Sequence, residues 1–99
     1  MLLVQTKAFI RDSHKLKMTD QHFTKFIEYL HLLSNRKPLS PEAKDHPLIG
    51  DWKDFRECHI SGDLLLIYQI EADTVKLVRI GSHNQLFKQY SPYLLEIYI

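Results

Sequence analysis

The spacing of hydrophobic positions changes along the chain, and the changes divide it into elements. Residues 2–5 form a short apolar run suited to a strand. Thr6 then offers a helix cap, and Phe9, Ile10, Ser13 and Leu16 predict a helix through roughly Met18 with those side chains turned inward. Thr19 and Asp20 both suit a cap and mark a second start. Phe23, Phe26, Ile27, Leu30, Leu33 and Ser34 follow at helical spacing, the clearest amphipathic stretch in the chain, which Asn35 and Pro38 bring to an end. Two helices with a short link make a hairpin whose apolar faces require a sheet to cover them.

Residues 38–52 carry prolines and a glycine and read as an ordered loop. Three strands are expected after it: residues 55–60, an almost unbroken apolar run at 64–70 suited to a central strand buried on both faces, and an alternating segment at 74–80. Gly81-Ser82 should break the last strand, with Ser82 capping a short turn through Phe87. The order β-α-α-β-β-β gives an α+β fold, an antiparallel sheet packed against an N-terminal helical hairpin, in a single domain over residues 1–99. Strict alternation puts Cys58, Ile60, Val78 and Ile80 under the helices and leaves His59 and Arg79 on an uncovered face. In a meander, the end of 74–80 is expected at the far end of the central strand from His59. On that expectation, His59 and His83 meet only if the sheet twists around a groove or Gly81-Ser82 folds back. Residues 88–99 are too apolar for a solvated end and read as a C-terminal extension, either a cover for the core or a sheet edge, or a self-association surface.

Composition narrows the function. The chain has 99 residues, 44% hydrophobic and 25% charged, which allows one core and argues against wholesale disorder. A net charge of +1 does not advertise nucleic acid, so any RNA contact must come from a local patch. Lys7, Arg11 and Lys15 recur at helical spacing and form one basic stripe, which otherwise reads as a solvated helix face. A single cysteine, Cys58, precludes an internal disulfide, suits a reducing cytoplasm and reads as a small buried hydrophobe. No signal peptide is visible, and no stretch approaches the ~20 apolar residues of a membrane-spanning helix.

Six histidines point to proton transfer near neutral pH. His46 lies in the proline-bounded loop, His59 near the end of a strand with Asp63 just beyond, and His83 after the last strand. With Arg79 they could cleave RNA without a metal. A base would take the ribose 2′-hydroxyl proton, an acid would protonate the leaving 5′-oxygen, and a guanidinium would steady the phosphoryl charge. Phe87 could stack on a base. Each has a plainer reading: strand-end histidines bonded to backbone, Asp63 as a turn residue, Arg79 paired with Glu57 across the sheet, Phe87 in the core. Zinc on His46, His59, Asp63 and His83 is conceivable by donor type, but no tight His-x₃-His pair supports it.

Asp45-His46-Pro47-Leu48, Gly50, Trp52, Arg56, His59 and Asp63, then Leu65-Leu66-Ile67-Tyr68, and finally Arg79, Gly81, His83, Leu86 and Phe87, together resemble the signature of the YafQ branch of RelE-like toxins from bacterial type II toxin–antitoxin pairs. The match spans residues 45–87 with every key spacing filled, while the N-terminal half agrees only in layout. The resemblance implies a RelE-like fold and a ribosome-dependent mRNA endoribonuclease. It also implies silencing by a cognate antitoxin and contact with operator DNA only through that antitoxin, with no cofactor, metal or membrane. It assigns acid–base work to His46, His59, Asp63 and His83, and mRNA holding to Arg79 and Phe87. Asp63 or His59 is the preferred base and His83 the preferred acid. The stripe Lys7, Arg11, Lys15 becomes a candidate contact for ribosomal RNA or an acidic antitoxin segment. The alternative is a non-catalytic relative serving with its antitoxin as a DNA-binding corepressor; the intact site set favours the enzyme. Residues 88–99 are longer and more apolar than the family leads one to expect.

Overall fold

Thr6 closes the first strand and opens the first helix. Its side chain accepts from the Phe9 amide at 3.0 Å and donates to the Val78 carbonyl at 2.8 Å, tying the helix start to the last strand. The computed structural model describes residues 1–87, so the readings made for residues 88–99 lie outside the described residues. The elements are β1 (Leu2–Gln5), α1 (Lys7–Lys15), α2 (Asp20–Ser34), β2 (His46–Pro47), β3 (Arg56–Ser61), β4 (Leu64–Glu71), β5 (Thr74–Ser82) and α3 (His83–Phe87). Short 3₁₀ turns at Pro41–Ala43 and Gly50–Trp52 organise the loop between α2 and β3.

The α+β architecture is as expected, but the sheet is mixed rather than antiparallel. Its order is β1-β5-β4-β3-β2, with β1 parallel to β5 and the other neighbours antiparallel. The chain returns to β1 through two helices and a meander, a connection long enough for parallel pairing. β4 sits at the centre, and Leu65, Leu66, Ile67 and Tyr68 are all buried.

The helices differ from expectation in which sides they bury. α1 stops at Lys15 because Leu16 is already extended, and its buried residues are Ala8 and Phe9, while Ile10 is exposed. On α2 the inward residues are Tyr29 and Leu33, with Phe26 and Leu30 packed beside them; Phe23 and Ile27, expected inside, are exposed. The periodic stripe is wider than the strip of sheet that α2 covers, so one edge of it is left outside.

A bulge in β5 overturns strict alternation. Tyr68 pairs with Leu77, but Ile67 pairs with Arg79, leaving Val78 as the extra residue. Val75, Leu77 and Ile80 therefore join Cys58, Ile60, Leu66 and Tyr68 in the core under the helices. Val78 goes instead to a second cluster with Trp52, Phe55, Leu65, Ile67 and Leu86. The face expected to be uncovered thus has a small core of its own. Gly81 lets α3 fold against this face: a Cβ there would meet Gln85 Oε1 at 2.9 Å and Leu86 Cδ2 at 3.3 Å.

Candidate active site

The register brings the two strand-end histidines together without any special twist. His59 pairs with Leu65, and Leu65 pairs with Gly81. In an antiparallel meander the ends of the first and third strands both flank the start of the middle one, so the expected separation was in error. With strands about 4.8 Å apart, the His59 and Gly81 backbones lie roughly 10 Å from each other, with His83 two residues on.

His46, Glu57, Ile67 and Arg79 form one cross-strand row, and paired positions share a face. Glu57 and Arg79, at 5% and 8% exposure, are the buried charged residues among those described. Buried charges demand partners. Glu57 Oε1 lies 3.5 Å from His46 Nε2 and 3.8 Å from His59 Nε2, so one carboxylate is shared between two imidazoles. His46 Nδ1 lies 2.7 Å from the Lys44 carbonyl oxygen. A carbonyl only accepts, so Nδ1 carries the N–H and Nε2, facing Glu57, is the atom left to gain or lose a proton.

Asp63 and His83 meet through backbone. Asp63 Oδ1 accepts from the His83 amide at 3.2 Å, latching the β3–β4 turn to the start of α3. Ser82 caps that helix as expected, its hydroxyl accepting from the Gln85 amide at 3.1 Å. Phe87 is half-buried beside the second core, and its ring centroid lies 5.0 Å from that of His83. The imidazole therefore rests on an apolar platform.

Arg79 does not look out into solvent. Its Nε and Nη2 donate to the two Asp12 oxygens of α1 at 2.6 and 3.0 Å, and Asp12 also accepts from the Ile80 amide. It does not pair with Glu57, from which Ile67 separates it in the row. Lys7, Arg11 and Lys15 are exposed along α1.

Sequence reasoning missed two groups. Glu57 shares a face with His59 by simple parity, a signal that was legible but was read only as a partner for Arg79. The other is Asp45, which accepts from the Tyr68 hydroxyl at 2.6 Å and Arg56 Nε at 3.2 Å, pinning the strand that carries His46. Burial, then the bond to Asp45, pushes the Tyr68 hydroxyl well above its ordinary range, so it remains a donor. Cys58 is fully buried, and desolvation raises its thiol, as suits packing rather than nucleophilic attack. Among the described residues no three or more His, Cys, Asp or Glu are placed to hold a metal ion. No described helix is long and apolar enough to cross a membrane.

Residues 1–88 match the family of bacterial toxins of type II toxin–antitoxin systems, YafQ, and the chain belongs to that family. A Haemophilus influenzae relative carrying the YafQ name is 41% identical over 87 residues, covering 81% of this chain and 85% of the relative. The mRNA interferase toxin YafQ of Escherichia coli K12 is 38% identical, with 69% and 73% covered. Among solved structures, a metal-bound toxin from Helicobacter pylori superposes with a TM-score of 0.77 at 40% identity, covering 88% of this chain and 99% of that one. The E. coli DinJ–YafQ complex gives 0.75 at 30% identity, covering 86% and 96%.

Proposed function

We propose that this mRNA interferase toxin cleaves RNA where the ends of β3 and β5 converge, with His59 as general base and His83 as general acid. The observation that carries the reading is the buried Glu57 carboxylate shared by His46 and His59, close to the end of β4 where Asp63 holds His83. An imidazole backed by a carboxylate can take the ribose 2′-hydroxyl proton, because the carboxylate steadies the imidazolium that forms. The hydroxyl oxygen then attacks the adjacent phosphorus, and His83 delivers a proton to the departing 5′-oxygen. The products are a 2′,3′-cyclic phosphate and a free 5′-hydroxyl.

Asp63 is already engaged with the His83 amide, so it acts in this scheme as a positioning residue, and Phe87 sets the ring of His83. His46, locked at Nδ1, presents Nε2 to the same carboxylate and supplies positive charge when protonated. Arg79, nearly covered and shared with Asp12, serves as a backing cation for the phosphodiester rather than a surface grip. The substrate is mRNA on the ribosome. Lys7, Arg11 and Lys15 offer a contact for ribosomal RNA or an acidic antitoxin segment, and operator DNA is reached only through a cognate antitoxin. The relative solved with DinJ supports an antitoxin partner.

The H. pylori toxin is metal-bound, but among the residues described here none assemble a cluster to hold a metal, and no step runs through one. Induced expression in a bacterial host tests the centre. The wild type should arrest growth and fragment mRNA, and His83→Ala should reduce cleavage by about 10²–10⁴-fold. Equal arrest by both would remove His83 from the mechanism, and arrest by neither would favour the non-catalytic corepressor. A chelator selective for transition metals, leaving Mg²⁺ to the ribosome, should leave cleavage unchanged, and loss of activity would bring metal back into the scheme.

A further inference from the structure

A cleft of about 320 Å³ adjoins the histidine cluster and shares His59 with it. Lys25 and Tyr29 of α2 form one wall, Glu42 and Lys44 from the loop before β2 another, and His59 and the turn at Gly62 the third. Its volume lies at the small end of ordinary ligand sites (roughly 300–1,000 Å³), which fits a single nucleotide and not a longer stretch.

Three observations indicate what it holds. The first is continuity: the cleft opens beside His59, where β2 no longer covers the edge of β3, and the His59 imidazole approaches Glu57 on the other face, so a strand cut beside His59 can turn over this edge into the cleft. The second is Lys44, exposed and held in the left-handed region at φ 49°, an uncommon conformation for a side-chain-bearing residue. Its carbonyl is the group that orients His46, so the turn that sets the imidazole also presents an ammonium to the cleft. The third is the 2.6 Å ion pair of Lys25 with Glu42. The Lys25 bond holds the Glu42 carboxyl below its ordinary range, which keeps it an acceptor.

We propose that this cleft is a nucleotide subsite for the mRNA residue flanking the scissile phosphate, with Lys44 on that residue's phosphate and Glu42 accepting from an exocyclic amino group of its base. Adenine, guanine and cytosine carry such a group, and uracil does not. The subsite thus gives the enzyme a preference at one position, and it rests on the reading of His59 as part of the cleavage centre.

The test uses the full chain on translating ribosomes, with mRNAs randomised around one cleavage position and cut ends read by sequencing. Lys44→Asn removes the charge, and asparagine tolerates left-handed backbone. This variant should lose about tenfold in kcat/KM on every message, and Lys44→Arg should recover most of it. Glu42→Gln can donate to a uracil carbonyl as well as accept, and should narrow the discrimination against uracil by about tenfold with little change in total rate. Melting temperatures equal to wild type establish that each variant is folded. If both variants cut at wild-type rate and pattern while His59→Ala is inactive, the subsite is wrong and the cleavage centre stands. If His59→Ala cuts like wild type, both readings fall.

Discussion

Toward the helices, β3, β4 and β5 present Cys58, Ile60, Leu66, Tyr68, Leu77 and Ile80 to one apolar layer. Toward the other side the same strands present Glu57, His59 and Arg79 among Leu65, Ile67 and Val78. The first side obeys a non-directional rule: apolar side chains need only fill space. The second carries buried charge, and each charge must have a partner at a definite distance. Glu57 has two imidazoles nearby and Arg79 has Asp12. Substitutions on the first side should therefore change how firmly the chain folds and little else, while those on the second should also change what the folded chain can do.

The sharpest way to break this contrast is Asp12→Ala. It removes the bidentate partner of a nearly buried guanidinium and should cost about 3–5 kcal/mol. Urea unfolding would measure it, and a loss below 1 kcal/mol would show that the pair is not a structural anchor. Leu66→Ala on the helix side should cost a comparable or smaller amount, about 2–5 kcal/mol, while leaving cleavage per folded molecule unchanged. A fall in specific activity matching the loss of stability would erase the distinction between the faces.

Glu57→Gln tests the second side from the other direction. Cleavage should drop by about 10–100-fold with an altered pH–rate profile, and the melting temperature should barely move. An unchanged profile would mean the carboxylate does not assist the imidazoles. Thr6→Ala, which removes both the α1 cap and the bond to Val78, should cost about 1–2 kcal/mol by urea unfolding, with activity preserved.

The smallest effect concerns alkaline stability. Burial raises both Cys58 and Tyr68 in the folded state, so the native form holds those protons more tightly than the unfolded chain. Their contribution is complete below the ordinary thiol value and declines as pH rises, from about 8.5 for Cys58 and about 10 for Tyr68. Tyr68→Phe should flatten the upper part of that decline and lower neutral-pH stability by about 0.5–1.5 kcal/mol. A stability curve that falls as steeply as the wild type's above pH 10 would assign the loss to other groups.

Local signals carried much of the fold. Thr6 and Thr19 cap helices, the apolar run in β4 is central, and Ser82 starts the last helix, because each depends on neighbours a few residues away. Phe23 and Ile27 were misplaced because periodicity defines a stripe without saying how much of it a sheet will cover. The partner of Arg79 sits 67 residues away in sequence, beyond any spacing rule. The histidines were identifiable by type and motif, but their meeting point depends on register. Once the register is known, the antiparallel order alone brings His59 and His83 to one end of β4.

Val78, the extra residue in β5, acts as a phase shift in the strand. Upstream of it, odd-numbered side chains keep step with the helices; downstream, the even-numbered ones do. Deleting this residue would leave Tyr68 opposite Leu77 and Ile67 opposite Arg79 as consecutive pairs, so every remaining side chain would keep its face. What would go is the valine that fills the second core and the added bend and twist that an unpaired residue gives the strand leading to His83. A single surplus codon at that point thus sets the strand's curvature and leaves its pairing alone.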